Sequence, residues 1–178
     1  SCAYFWQCYY KWIKAANDII SLVDPEDAAP EAVGYLAAAY AYRAMFYLDL
    51  ARLYEPKVNS YTDVSSVLGL TVPIVTENTT EQQAKNNPRV PRERMYEFIL
   101  SDLAAAEKLM DPSVRNYTSP TLAAVYGLYA RAWLEMGYWN DGDSRAAFAN
   151  AAEYARKAIV QSGKTPLTQA QWEDPVNG

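Results

Sequence analysis

Apolar positions dominate one uninterrupted stretch of the chain. From Glu31 to Tyr54 (EAVGYLAAAYAYRAMFYLDLARLY) only Glu31, Arg43, Asp49 and Arg52 are charged, proline is absent, and the single glycine, Gly34, falls in the first turn. A surface helix carries one apolar stripe, whereas a helix that is apolar nearly all round is enclosed by other elements. The stretch therefore predicts a central helix of about 36 Å, at 1.5 Å per residue. Ala37, Ala38, Ala39, Ala41 and Ala44 permit close helix approach, and Tyr35, Tyr40, Tyr42, Phe46, Tyr47 and Tyr54 fill the gaps between neighbours. A membrane span is disfavoured, because Arg43, Asp49 and Arg52 would each cost about 2.5–3.5 kcal/mol near a bilayer centre.

The flanking pattern predicts more helices. Residues 4–23 place Phe5, Tyr9, Trp12, Ala16, Ile19 and Val23 on one helical face, and Asp24-Pro25 stops that helix. Glu55-Pro56 ends the central helix, since the residue before a proline is pushed out of the helical region. Residues 55–90, rich in Asn and Ser with prolines at 56, 73 and 88, predict a long loop containing one extended piece, Leu70 to Val75. A connection of this length is often functional and is otherwise an insertion or disordered. Pro91 fits the first position of a third helix. Its Tyr96, Ile99, Leu103, Ala106 and Met110 form a seam, and Asp111-Pro112 ends it. Ser119-Pro120 reads as the cap and first residue of a fourth helix running to about Met136, with Gly137 as its break. Tyr126, Tyr129, Trp133 and Met136 make one stripe on it, and Val125, Leu128 and Ala132 another. A fifth helix follows from about Ser144 to Gln161, with Phe148, Ala151, Ala152, Ala155, Ala158 and Ile159 inward and Gly163 at its end.

The expected fold class is all-α: about five helices in tetratricopeptide-like stacked hairpins, with one long loop at about 55–90. Ala151, Ala155 and Ala158 reproduce the small-residue spacing of the second helix of a tetratricopeptide repeat, although the preceding turn is longer than the repeat permits. Stacked hairpins present their faces to a partner.

Composition narrows the chemistry. At 178 residues with 51% apolar content the chain suits one domain with a sizeable core. The net charge of −5, without a long basic run, argues against nucleic acid as a partner. Histidine is absent, which removes the commonest general base and metal ligand. On one helix Cys2 and Cys8 would lie about 240° apart around the axis and roughly 9 Å along it, too far for a disulfide. They make no metal pair. The start shows no basic segment leading into an apolar one, and Cys2 lacks the small-residue cleavage context of a lipoprotein signal. The expectation is a cytoplasmic protein or a fragment without its start.

No catalytic set stands out. Asp49 and Arg52, three residues apart on a nearly apolar helix, read as a structural ion pair, and Arg43 as serving buried carbonyls or tyrosine hydroxyls. Asn140-Asp141-Gly142-Asp143 resembles part of a calcium loop but has the wrong glycine offset and no distal bidentate glutamate. Neither a phosphate-binding glycine loop nor a nucleophile elbow occurs, and no cofactor is expected. Tyrosine is plentiful: 15 Tyr and 5 Trp against 4 Phe. Trp139, Tyr138, Tyr61, Tyr117 and Trp172 fall in loops or at helix ends, where flat aromatics either stack on sugar C–H faces or pack beneath neighbouring structure. Trp139, Tyr138 and Tyr61 are the candidate glycan contacts.

The order of these segments resembles the SusD/RagB family of outer-membrane nutrient-binding lipoproteins of Bacteroidetes. The resemblance rests on Arg43-Ala44, Tyr47, Leu50 and Tyr54, followed by Val72-Pro73-Ile74-Val75. It continues through Pro88-Arg89, Tyr96, Ile99, Asp102-Leu103, Ala106 and Leu109, then Ala123-Ala124, Ala130-Arg131 and Leu134, then Ala155, Ala158-Ile159, Gly163 and Leu167. Asn17 also sits where that family often has asparagine. Glu55 stands where the family often has glycine, and a long insertion precedes Val72. The resemblance implies a single helical domain over residues 1–178, as part of a longer chain. It further implies non-enzymatic capture of an oligosaccharide or polysaccharide on the extracellular face of the outer membrane. The captured glycan would pass to a SusC-like TonB-dependent transporter, and membrane attachment would be only through a lipid anchor outside these residues. It marks no ligand-contacting residue. The alternatives are a tetratricopeptide-type protein–protein scaffold, against which the 55–90 loop argues, and an all-helical glycoside hydrolase.

Overall fold

Five long helices form where the apolar periodicity is longest. In the computed structural model, which describes residues 2–115, 118–139 and 144–174, these are α1 (Cys2–Leu22), α2 (Pro30–Tyr54), α4 (Arg92–Leu109), α5 (Leu122–Gly137) and α6 (Ser144–Ser162). Two short helices, α3 (Glu81–Lys85) and α7 (Gln169–Glu173), add to the five expected. Each short helix opens on a capping box, Thr80 with Gln83 and Thr168 with Gln171, which satisfies two otherwise orphaned backbone groups. Among the described residues the only β pairing is an isolated antiparallel bridge between Leu70 and Pro91. No described helix is long and apolar enough to cross a membrane.

Successive long helices pack on one another, α1 on α2, α2 on α4, α4 on α5 and α5 on α6. This is the stacked-hairpin arrangement. α2 also touches α5, so it has neighbours on three sides, and Leu36, Ala37, Ala41, Ala44, Tyr47, Leu48, Leu50 and Ala51 are fully or almost fully buried. From Ala41 onward they meet Ile13 of α1, the α4 seam of Tyr96, Ile99, Leu103 and Ala106, and Val125 and Ala132 of α5 in one core, while Leu36 packs with Ala16 and Ile20 of α1 in a smaller cluster.

Several faces differ from the periodicity. On α1 the buried positions are Ile13, Ala16, Asn17 and Ile20, while Phe5, Trp12 and Ile19 stay largely exposed. The helix has apolar residues on two faces, and the one turned inward contains an asparagine whose polar atoms are all engaged. On α6 only Ala147 and Ala151 are buried, whereas Ile159 is exposed and Phe148 lies partly exposed against the end of α5. α6 rests on α5 alone, so a narrow stripe suffices. α4 starts at Arg92, with Pro91 as the cap. α5 starts at Leu122 with Thr121 as the cap, so Ser119-Pro120 lies just outside it. Gly137 ends α5, and a Cβ there would sit 2.5 Å from the Phe148 ring, which explains the glycine by close approach.

The 55–90 segment is an ordered strap. Thr71 donates its amide and hydroxyl to Val90 O, and Arg92 N donates to Gly69 O. Gly69 makes that turn at φ +73°, a left-handed conformation that side chains disfavour. Val72 is fully buried. Tyr10 Oη donates to Pro73 O, Asn87 Nδ2 to Ile74 O and Arg89 Nη1 to Thr71 O, so the extended piece is stitched to both sides. Cys2 and Cys8 are free thiols.

Candidate functional site

Two charged constellations are built along α2, one inside the bundle and one at its edge. The inner one centres on Arg43, whose side chain is 3% exposed. Its Nε and Nη2 each donate at 2.8 Å to Asp102 of α4, a bidentate pair. Nη1 donates to Asn17 Oδ1 of α1 at 2.7 Å and to Glu77 of the strap at 2.6 Å. Asn17 in turn donates to Val75 O, and Tyr47 both donates to Val75 O and accepts from Val75 N. Arg43 thus serves carboxylates and one amide, in place of the carbonyls or tyrosines expected, and binds three helices' worth of structure to the strap. Burial alone would lower the guanidinium's proton affinity, and Asp102 and then Glu77 reverse this, leaving it raised. Burial pushes the Asp102 carboxyl up from its ordinary 3.8, against the pull of Arg43. This knot has no access for a ligand, so its role is to clamp the fold.

The outer constellation lies where the C-terminal ends of α2 and α5 meet the N-terminus of α4. Asp49 and Arg52 do not pair with each other. Asp49 accepts from Arg131 of α5 at 2.9 Å and from Tyr9 Oη at 3.2 Å, and Arg52 pairs with Glu135 at 2.7 Å. Beside them Glu55, nearly buried, receives Lys57 at 2.7 Å and Arg92 at 3.7 Å, and Arg92 also meets Glu93 at 3.3 Å. A cleft of about 480 Å³ is lined by Tyr9, Asp49, Arg52, Leu53, Lys57 and Glu135. A second, of about 670 Å³, shares Lys57 and Glu135 and continues past Glu55, Arg92, Tyr138 and Trp139. Both volumes lie in the roughly 300–1,000 Å³ range of small-molecule sites.

The structure brings two of the three sequence candidates to this groove. Tyr138 is 69% exposed and braced edge-on by Phe148 at 5.3 Å. Trp139 is half-buried, edge-on to Tyr96 at 4.9 Å with the Arg92 guanidinium 4.8 Å from its ring centre, so much of it is spent on packing. Tyr61, 92% exposed on a turn held by Asn59, does not line the groove, nor does Trp172. Tyr117 and the Asn140–Asp143 segment lie outside the described residues. Among the described residues no cluster of three His, Cys, Asp or Glu side chains could hold a metal ion. Sequence reasoning missed Glu55, Arg92 and Glu135, which are brought together from three elements and share no local spacing. Further along the same α1–α2 face, toward the N-terminus of α2, lies a largely apolar groove of about 550 Å³ walled by Trp12, Ile19, Tyr35, Tyr42 and Phe46. α2 is therefore uncovered on that side, which its all-round apolarity had not suggested.

Comparison with known proteins places this architecture. The sequence family described as SusD-like, "starch-binding associating with outer membrane", matches residues 2–134. No curated protein matches the chain. Among solved structures, the chain is similar to a SusD-like carbohydrate-binding protein from Bacteroides vulgatus (TM-score 0.70, 22% identity, 95% of this chain and 33% of that one). It is also similar to a protein solved with a xylogluco-oligosaccharide (TM-score 0.65, 21% identity, 92% and 30%) and to a laminarin-binding SusD-like protein (0.62, 16%, 94% and 31%). The chain spans about one third of the length of these solved relatives. With the family matched over most of its residues and the all-helical fold shared, the chain belongs to the SusD-like family.

Proposed function

We propose that this chain is the helical part of a protein that captures glycans at the bacterial cell surface without cleaving them and hands them to a SusC-like TonB-dependent transporter in the outer membrane. Membership of a family described as starch-binding and outer-membrane-associated is the observation that carries this reading. The groove at the Glu135 edge supports it, because it combines an exposed aromatic face with fixed hydrogen-bonding groups. Two of the similar structures name a glucan-type ligand, which adds support for oligosaccharide as the ligand class. Each carboxylate of the groove is committed to a cation. Glycoside hydrolysis needs two carboxyls poised across one bond, so the arrangement favours holding a sugar over cutting it. A second reading, a protein–protein scaffold, draws support from the apolar groove between α1 and α2.

Affinity electrophoresis of the full-length protein in gels containing soluble polysaccharides, with a reducing-end assay on the same mixtures, tests the proposal. Retardation by at least one polymer with no new reducing ends is the expected result. New reducing ends would overturn the non-enzymatic reading, and retardation by no polymer in a broad panel would favour the scaffold.

A further inference from the structure

We infer that the groove at the Glu135 edge is a subsite for an uncharged oligosaccharide, held by its fixed ion pairs and by the face of Tyr138; this rests on the glycan-capture reading above. The two clefts share Lys57 and Glu135 and so adjoin one another, with lining residues that reach from Tyr9 to Tyr138.

Among the described residues the charges lining the two clefts cancel. Asp49, Glu55, Glu93 and Glu135 face Arg52, Lys57, Arg92 and, behind Asp49, Arg131. They are matched locally, Arg52 to Glu135, Arg131 to Asp49, Lys57 to Glu55, and Arg92 to Glu55 and Glu93. A cleft lined by one sign of charge concentrates ligands of the opposite sign, and this one offers no such field. A uronate or sulfate would gain from each cation only by displacing that cation's carboxylate, and would then sit beside it. A polyol has no such conflict. One hydroxyl donates to a carboxylate while its neighbour accepts from the adjacent guanidinium, so vicinal hydroxyls match the pair Arg52–Glu135 with its 2.7 Å contact. Hydrogen bonds to ionised groups are the stronger kind. The side chains are already tethered to one another, which lessens the rotamer freedom lost on binding.

The apolar component is in place too. Val58, Leu68, Leu70 and Pro91 line the second cleft, and Tyr138 stands at its rim with its ring fixed by Phe148. A pyranose has an apolar C–H face that stacks on such a ring while its edge hydroxyls reach the charges.

Isothermal titration calorimetry on the full-length protein, with xyloglucan and laminarin as neutral probes and polygalacturonate and alginate as acidic ones, tests the assignment. The expected result is binding to a neutral polymer that changes little between about 50 and about 500 mM salt. Tyr138→Ala and Glu135→Gln should each weaken it at least about tenfold, and Tyr35→Ala, an exposed tyrosine toward the other end of α2, less than about twofold. Circular dichroism melts of the variants separate lost binding from lost folding. Neutral binding that Tyr138→Ala and Glu135→Gln leave intact would overturn this subsite while the capture reading stands. Salt-sensitive binding of acidic polymers alone would overturn the neutral-ligand assignment, and binding of neither class would overturn the capture reading and the subsite with it.

Discussion

Arg43 and Arg52 sit on the same helix, and each pairs with a carboxylate on a neighbouring helix, at 2.8 and 2.7 Å respectively. Arg43 is 3% exposed and is held by Asp102, Asn17 and Glu77; Arg52 is 48% exposed on the wall of a groove. The contact chemistry is alike, yet the physical consequence differs because of water. Inside, removing one partner strands the other charge in a medium that cannot solvate it. At the edge, water screens the pair and takes over readily. Buried pairs therefore hold a fold in one arrangement, whereas exposed ones remain available to a ligand.

The comparison can be broken from its strong end downward. Arg43→Met leaves Asp102 and Glu77 uncompensated and should cost about 3–5 kcal/mol, read from urea unfolding midpoints at constant m. A loss under about 1 kcal/mol would show that the knot relaxes or takes in water. Val72→Ala opens a cavity under the strap, where the side chain is fully buried, and should cost roughly 2 kcal/mol by the same measurement. The Asp102 carboxyl supplies a pH test. Its native value lies above its ordinary 3.8, because burial outweighs Arg43. A carboxyl raised in the native state adds stability that is complete below its unfolded value and lost as pH rises through its native value. The unfolding midpoint of the wild type, relative to Asp102→Asn, should therefore fall as pH rises from about 3.8 through that native value. Arg52→Met, at the weak end, should change stability by no more than about 0.5 kcal/mol.

How much of this was readable in advance follows from the range of each interaction. The long helices, the α4 seam and the extended piece at Leu70–Val75 depend on local spacing and proline placement, and all are present. The capping boxes at Thr80 and Thr168 are equally local, and noticing their Thr-x-x-Gln pattern would have revealed the two short helices. The buried face of α1 was hidden because Asn17 interrupts its apolar pattern, and an asparagine's partners 26 and 58 residues away are invisible to periodicity. Asp102 bonds Arg43 across 59 residues and Arg131 bonds Asp49 across 82, so Asp49 and Arg52 were matched to each other only because they are neighbours in sequence. Tyr138 and Trp139 stand out in the sequence by their position after a helix end, but that position does not show that Trp139 leans on Tyr96 and Arg92. The groove's charge balance is a property of four elements and has no signature in any one of them.

The most direct test measures stability and binding together for Arg43→Met and Arg52→Met in the full-length protein, using the polysaccharide that retards the wild type. The two effects should separate. Arg43→Met should lose about 3–5 kcal/mol of stability while its folded fraction binds as the wild type does. Arg52→Met should keep its unfolding midpoint and lose affinity by about tenfold. If Arg52→Met instead lost stability as severely as Arg43→Met, or bound glycan unchanged, the division of α2 into a clamping charge and a ligand-facing charge would be contradicted.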